Sequence, residues 1–193
     1  MEEILLHIDA RIQEATCVMQ EMGDGSVAAG IVREVLPDYE RLVQARFHLS
    51  ELNDLAYLMK LCIEMRPRLL LQVRRLQLEA LQHIDEPSPR EQTMRKEVAQ
   101  EIAFLEANIQ AADAGRWSDV QSPGMLQHDP VEWMAAFENV IDEAEHRAFS
   151  HLTDVPRGMG FCFAYWPALR SELHRLGIEW HSPSEMNPGV IFD

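Results

Sequence analysis

The sequence lacks the short motifs that identify common enzyme classes. It contains no glycine-rich phosphate loop, no Cys-x-x-Cys pair and no Gly-x-Ser-x-Gly elbow. Its three cysteines, Cys17, Cys62 and Cys162, are an odd number without short spacing. Cys17 and Cys62 fall on predicted apolar helix faces, so we predict buried thiols at both positions. No motif therefore indicates a particular catalytic chemistry.

Basic charge is also scarce. Lys and Arg number 17 against 32 Asp and Glu, which gives a net charge of −15 and a pI near 4.9. Binding to phosphate requires a basic surface, so we do not expect bare nucleic acid as a partner. A strongly acidic protein repels DNA and membranes and attracts basic proteins. The simpler interpretation is that the excess acid keeps a cytosolic protein in solution.

Long apolar runs and a leader pattern are missing as well. The longest uncharged apolar run is far shorter than the roughly 20 residues that span a bilayer. The amino-terminal MEEILLHIDARIQEA has acidic residues where a secretion signal carries Lys or Arg. We therefore expect a cytoplasmic protein without membrane contact. At 193 residues, with 47% apolar residues, the chain is predicted to form one domain.

Helical periodicity dominates what is present, most clearly between Ser50 and Asp85. Apolar residues there recur every three or four positions, as on one face of an α-helix. A second apolar flank accompanies that stripe, which is typical of a helix with neighbours on two sides. The stripe comprises Leu55, Leu58, Cys62, Met65, Leu69, Val73, Leu76, Ala80 and Ile84. We place this segment at the centre of a helical bundle.

The same periodicity, with capping and turn residues, predicts the remaining elements. Pro67 is predicted to bend or break the central segment, because its ring opposes the carbonyl four residues earlier. Ser88, Asp129 and Ser182 each begin a capping box. Only Gly160–Trp166 has any strand character. Helices are predicted over 2–22, 27–36, 38–66 (a break near Ser50 being the alternative), 68–85, 89–114, 130–151 and 161–175, with at most one turn after Ser182.

These elements predict an all-α fold, a single-domain antiparallel bundle of about six helices with an irregular carboxyl-terminal wrap. Residues 1–193 would form one domain. Residues 1–152 would be the bundle core, and residues 153–193 a helix and tail packed on it. The helices at 68–85 and 89–114 should be antiparallel, because the connection between them is short.

Two weak candidates for chemistry are present. Glu143 and His146 form a Glu-x-x-His pattern, which places a carboxylate and an imidazole on one helix face, as in carboxylate-bridged di-metal bundles. A second copy on a facing helix is absent from the sequence, so we expect no bound metal and no cofactor. Cys162 is the sole candidate thiol nucleophile, with His174 or His181 as its base, although nothing in the spacing requires it.

Distinctive residues concentrate near the carboxyl terminus. Trp166, Trp180 and His181 lie in aromatic-rich segments that could either bind a partner or hold the tail on the core. Both interpretations remain open at this point. In the predicted helix 130–151, Glu138, Asp142 and Glu145 are spaced to line up on one face.

The charge layout offers two explanations for that acidic row. The middle of the chain is basic, and its cations could pair with the row inside the molecule. Alternatively the row could face a basic partner and increase its association rate by electrostatic attraction. The basic residues are Lys60, Arg66, Arg68, Arg74 and Arg75.

Charge and missing motifs together favour a non-enzymatic interaction protein. It would bind, and in an immunity-protein or antagonist role inhibit, a basic protein partner. The alternatives are a metal-dependent helical enzyme using Glu143 and His146, and a homo-oligomeric scaffold such as a homodimer. Metal analysis and light scattering separate these three hypotheses.

Overall fold

The computed structural model describes residues 1–21 and 23–192 and confirms the all-α prediction. No strand occurs within these ranges. Short 3₁₀ helices cover Trp117–Asp119 and Pro130–Trp133. The α-helices of the described ranges are α1 (Glu2–Glu21), α2 (Gly25–Gln44), α3 (Leu49–Cys62), α4 (Pro67–Gln82), α5 (Pro89–Asp113), α6 (Ala135–Glu138), α7 (Ile141–Ser150), α8 (Cys162–Arg175) and α9 (Pro183–Met186).

The chain divides into two compact units, Met1–Ala107 and Asn108–Asp193. The division falls within α5, whereas the sequence suggested one after residue 152. The single-domain organisation over 1–193 stays a prediction. In the part of the chain that the structure describes, no helix is both long and apolar enough to cross a membrane.

The core of the amino-terminal unit is formed by α1, α2, α3 and α4, with α2 in contact with the other three. Ile8 and Ile12 of α1 and Leu42 of α2 are completely buried in it. Tyr39 is also fully buried, and its hydroxyl donates to the carbonyl of Leu52 at 2.9 Å. Burial raises the pKa of the Tyr39 phenol, since the ionised form would lose its hydration.

The helix boundary predicted at Pro37 is wrong, because α2 continues through this proline to Gln44. An internal proline costs a helix about 3 kcal/mol. Val35, Tyr39 and Leu42 are fully buried around it, and burying each such side chain contributes roughly 1.5–3 kcal/mol. Packing on both sides of Pro37 therefore outweighs its local penalty.

The predicted continuous helix 38–66 is wrong, and the alternative of a break near Ser50 is correct. α2 ends at Gln44, where Phe47 N–H bonds to the Leu42 carbonyl at 3.1 Å. This bond marks a Schellman stop, which requires a left-handed residue. Arg46 takes that role, with φ of 53°. Glycine normally marks such a stop, and its absence explains why the sequence did not reveal this one.

The predicted break at Pro67 is confirmed. α3 ends at Cys62, and Pro67 is the first residue of α4. Met65 adopts a left-handed φ of 60° in the connection. Arg66, only 1% exposed, donates to the Glu64 carbonyl at 2.6 Å. The central segment Ser50–Asp85 is thus two helices that pack against each other rather than one.

α4 and α5 form the predicted antiparallel pair, joined by the capped turn at Ser88. The Ser88 N–H donates to Glu91 at 2.7 Å, and the Glu91 N–H donates to the Ser88 hydroxyl at 3.4 Å. Arg75 pairs with Glu106 at 2.7 Å, and Arg95 donates to the Leu81 carbonyl at 2.8 Å. Long polar side chains therefore connect the two helices.

In the carboxyl-terminal unit the predicted helix 130–151 is broken. A 3₁₀ helix, Pro130–Trp133, is followed by α6 and then α7. Met134 has an extended backbone between the 3₁₀ helix and α6. The N–H of Ala135, the first residue of α6, donates to the Asp113 carboxylate at 3.3 Å. The apolar spacing survives these breaks, since Phe137 and Ile141 are both fully buried. Periodicity alone therefore could not reveal them.

The segment Gly160–Trp166, which had some strand character in the sequence, is a turn at its first two residues and helical from Cys162 onward. α8 starts at Cys162 and runs through Pro167 to Arg175, packing against α7. α9 is one turn, opened by the predicted capping box of Ser182 and Glu185. The division of the predicted helix 130–151 into α6 and α7 adds one α-helix, whereas the break in 38–66 adds none, because the first part of that segment joins 27–36 in α2.

Candidate functional site

A buried polar cluster holds the tail of the carboxyl-terminal unit. Asp129 caps the 3₁₀ helix Pro130–Trp133, because its Oδ1 accepts the N–H of Val131 at 3.0 Å. Its Oδ2 accepts the N–H of His181 at 2.7 Å and lies 2.8 Å from the Nδ1 of the same imidazole. Asp129 is only 7% exposed. One carboxylate thus starts a helix and binds the tail 52 residues later.

Glu132 extends this cluster by one turn. Its Oε1 accepts the indole N–H of Trp180 at 2.8 Å, and its Oε2 lies 3.2 Å from His128 Nδ1. Trp180 is 2% exposed. The indole predicted to bind a partner is therefore buried against Glu132. For Trp180, of the two interpretations left open by the sequence, the geometry favours tail anchoring.

Two asparagine amides fix the segment between α5 and the 3₁₀ helix Pro130–Trp133. Asn108 exchanges two hydrogen bonds with the backbone of Gln121, at 2.8 and 2.9 Å. Asn187 does the same with the backbone of Gln127, at 2.8 Å for both bonds. Each amide supplies a donor and an acceptor, so it imitates one step of backbone pairing. Sequence reasoning missed both residues, because single asparagines carry no periodic pattern.

The Asp129–His181 pair resembles an acid–base dyad in geometry, since a carboxylate at Nδ1 orients an imidazole for proton transfer. Among the described residues, however, neither His181 nor His174 hydrogen-bonds to the Cys162 thiol. His174 Nδ1 instead lies 2.6 Å from Glu179. The arrangement predicted for a thiol nucleophile is thus not assembled here.

The Glu-x-x-His candidate is engaged in ion pairs. Glu143 Oε1 lies 2.5 Å from Arg147 and 3.5 Å from Arg175. His146 is exposed on α7. Within residues 1–21 and 23–192, no group of three or more His, Cys, Asp or Glu side chains is arranged to hold a metal ion. The expected absence of a metal stays a prediction.

The acidic row does not form the aligned stripe that the sequence suggested. Glu138 lies on α6, whereas Asp142 and Glu145 lie on α7. Glu145 is 4% exposed and accepts the Tyr165 hydroxyl at 3.0 Å. Glu138 and Asp142 are half-buried. Glu145 therefore joins α7 to α8, and its carboxylate is not displayed to solvent.

The basic middle of the chain finds acidic partners on α5. Lys60 lies 2.7 Å from Glu101, and Arg75 pairs with Glu106. Arg74 Nε is 2.9 Å from Glu101 Oε2, an ion pair whose angle does not make an aligned hydrogen bond. One of the two explanations drawn from the sequence had these cations pairing with the acidic row of helix 130–151.

An aromatic cluster connects α7, α8 and the turn between them. Phe149 stacks on Tyr165 with 4.8 Å between ring centroids. The Arg157 guanidinium lies 4.5 Å from the Phe149 centroid and 4.3 Å from that of Phe161. Cations at this distance from a ring face are attracted by its quadrupole.

A second group of apolar side chains is exposed at Met159, Phe163 and Ile191 and half-buried at Trp166 and Phe192. Phe163 is 56% exposed, and its ring meets Trp166 edge-on at 6.0 Å. Trp166 in turn meets Phe192 at 5.1 Å. Met159 and Ile191, which flank these rings in the chain, are 91% and 92% exposed. We call Met159, Phe163, Trp166, Ile191 and Phe192 the aromatic surface.

The thiols differ from the prediction. Cys62 is completely buried as expected, and burial raises the pKa of its thiol. Cys17 is exposed, so its predicted burial is wrong. α1 turns its Ile8, Ile12 and Ala15 stripe inward and leaves Cys17 on the opposite side.

Comparison with known proteins adds no assignment: no protein-family model, curated protein or solved structure matched the chain.

Proposed function

We propose that this protein is a non-enzymatic interaction protein that binds a basic protein partner through its carboxyl-terminal unit. The observation that carries this proposal is the aromatic surface, with Phe163 more than half exposed and Met159 and Ile191 almost completely exposed. Apolar side chains that lie together at the surface, as Phe163, Trp166 and Phe192 do, mark contact sites on soluble proteins. Tryptophan and other aromatic residues contribute most to such contacts.

The chemistry of the partner follows from charge. A net charge of −15 attracts basic proteins over long range and repels acidic ones. Asp142 and Glu138 are half-buried and still solvent-accessible, so they contribute to that field. The proposed partner therefore has a basic surface surrounding an apolar patch. An antagonist that covers the working surface of a basic protein fits this description.

The test uses two aromatic side chains of nearly equal exposure, one in each unit. Phe163 is 56% exposed and Tyr57 is 60% exposed. The wild-type chain, Phe163→Ser and Tyr57→Ser are immobilised, and bound proteins are recovered from the native cell and identified. We expect a basic protein that is retained by wild type and Tyr57→Ser and lost from Phe163→Ser. Equal recovery on all three surfaces would contradict the proposal.

A second arm tests the charge contribution. Asp142→Asn and Glu138→Gln together remove two accessible acids without touching the aromatic surface. Association with the recovered partner should slow at low salt, and the difference should shrink near 0.1 M, where screening acts beyond about 10 Å. An association rate that does not depend on salt would remove the charge argument.

The alternatives give different outcomes in the same preparation. A homo-oligomeric scaffold would show self-association by light scattering that Phe163→Ser abolishes, with no foreign partner recovered. A metal-dependent enzyme using Glu143 and His146 would retain one equivalent of iron, manganese or zinc after chelator treatment. Either result would replace the proposed function.

A further inference from the structure

We propose that the aromatic cluster of α7, α8 and the turn between them is a binding site for the guanidinium of an arginine side chain from a second protein. The site consists of the rings of Phe149, Phe161 and Tyr165, and the chain's own Arg157 occupies it. That the arginine belongs to a basic protein partner rests on the proposed function. The capacity of the rings to bind a foreign guanidinium does not.

The three rings lie close enough together to act on one cation. Their centroids are 4.8 Å apart for Phe149 and Tyr165, 6.1 Å for Phe161 and Tyr165, and 6.2 Å for Phe149 and Phe161. The guanidinium carbon of Arg157 lies 4.5 Å from the Phe149 centroid and 4.3 Å from the Phe161 centroid. Both distances are within the roughly 6 Å over which a ring face attracts a cation. The cluster therefore already holds a guanidinium in the geometry of a cation site.

A buried carboxylate increases the attraction of these rings for a cation. Glu145 is 4% exposed and accepts the hydroxyl of Tyr165 at 3.0 Å. A phenol that donates to an ionised carboxylate has more electron density in its ring, which strengthens the contact with a cation. The net charge of −15 acts in the same direction at longer range. The site therefore favours cations over neutral groups of the same shape.

The resident arginine is placed so that another guanidinium can replace it. Arg157 is exposed, whereas the rings of Phe161 and Tyr165 are half-buried. Gly158, which follows it, has φ of 149°, and no atom lies within 4 Å of the position that a Cβ would take there. Contacts between a cation and a ring near the surface are weak, so the two contacts of Arg157 favour the occupied site by only about five- to thirtyfold. A foreign guanidinium at sufficient concentration therefore competes.

The position of the site in the chain connects it with the aromatic surface. Met159 lies between Arg157 and Phe161, and Trp166 follows Tyr165 on α8. Met159 and Trp166 both belong to the aromatic surface. A basic protein with an arginine beside its apolar patch would therefore contact the rings and the aromatic surface together.

The probe is N-acetylarginine methylamide, compared with N-acetylcitrulline methylamide, which has nearly the same shape without the charge. Binding is followed by fluorine NMR of the full chain labelled with meta-fluorotyrosine. The chain has three tyrosines, and Tyr165→Phe identifies the Tyr165 resonance by its loss. In Arg157→Ser, which vacates the rings, the arginine ligand should shift this resonance saturably. The citrulline ligand should bind this variant about fivefold or more weakly.

Wild type should bind the arginine ligand about five- to thirtyfold more weakly than Arg157→Ser, because its own arginine competes. Arg170→Ser is the matched control, since Arg170 is an exposed arginine of α8 that pairs with Glu185, and this variant should bind as weakly as wild type. Phe161→Leu in the Arg157→Ser background keeps an apolar side chain without a π face and should reduce the preference for arginine over citrulline. Phe161→Tyr in the same background keeps a ring and should retain the preference.

Three results would overturn the inference. Arg157→Ser could bind neither ligand, it could bind both equally, or it could bind the arginine ligand no better than wild type does. Any of these would show that Arg157 only ties the turn to the rings. None of them would change the recovery of a basic partner that depends on Phe163, so failure of this inference is distinguishable from failure of the proposed function.

Discussion

The indole of Trp180 donates its N–H to a carboxylate oxygen of Glu132 at 2.8 Å, and both residues are almost completely buried. They are 48 positions apart in the chain. This bond fixes the returning tail to the 3₁₀ helix Pro130–Trp133. A buried carboxylate that loses its hydrogen-bond donor destabilises the folded state. Docking of the tail therefore depends on the indole N–H of Trp180.

Trp180→Phe should therefore lower the free energy of unfolding by about 1–3 kcal/mol, the cost of leaving a buried acceptor unpaired and a core ring smaller. Chemical denaturation of both variants measures it. Trp117→Phe is the control, since Trp117 is 45% exposed and should change stability by less than about 0.5 kcal/mol. Equal effects of the two substitutions would show that the Glu132 bond is unimportant.

The capping residues should differ in their contributions. Ser88→Ala removes one helix cap and should cost about 1 kcal/mol. Asp129→Ala removes a cap together with both contacts to His181, so we expect a clearly larger loss. Ser171→Ala, at an exposed position within α8, should be neutral or slightly stabilising, because alanine favours the helix. A smaller cost for Asp129→Ala than for Ser88→Ala would contradict this ordering.

Arg46→Gly should stabilise the fold by about 0.5–1 kcal/mol. A left-handed non-glycine residue costs roughly 1–2 kcal/mol, of which part is offset by the greater freedom of glycine in the unfolded chain. The neighbouring Ala45 has φ of −77°, so Ala45→Gly gains no relief and should destabilise. Thermal unfolding of the two variants should therefore shift in opposite directions, and a shift in the same direction would refute the argument.

Glu185 should make stability depend on pH in the acidic range. Hydrogen bonds from the Ser182 N–H and hydroxyl, with the charge of Arg170, hold the pKa of this carboxyl below its usual value. The ionised form is favoured in the folded state, so its contribution is complete above the unfolded pKa of about 4.3. It is lost as the pH falls through the lower folded value. The stability difference between wild type and Glu185→Gln should shrink below about pH 4, and a constant difference would exclude this role.

Local chemistry along the chain determined much of the architecture. Helical periodicity predicted the helices, Pro67 predicted the break after α3, and the capping boxes at Ser88 and Ser182 form as expected. These features depend on residues within one or two turns of each other. Backbone bonding, proline sterics and side-chain caps act over that distance, so a sequence alone can reveal them.

The tertiary structure decided what depends on distant residues. It continued α2 through Pro37, stopped it at Arg46 without a glycine, and divided the predicted helix 130–151. It also buried Glu145 against Tyr165, and Trp180 against Glu132. Glu145 and Trp180 had been candidate partner-binding residues in the sequence. Periodicity records which residues are apolar, but the direction of each helix and the partner of each buried polar atom are set by packing between segments far apart in the chain.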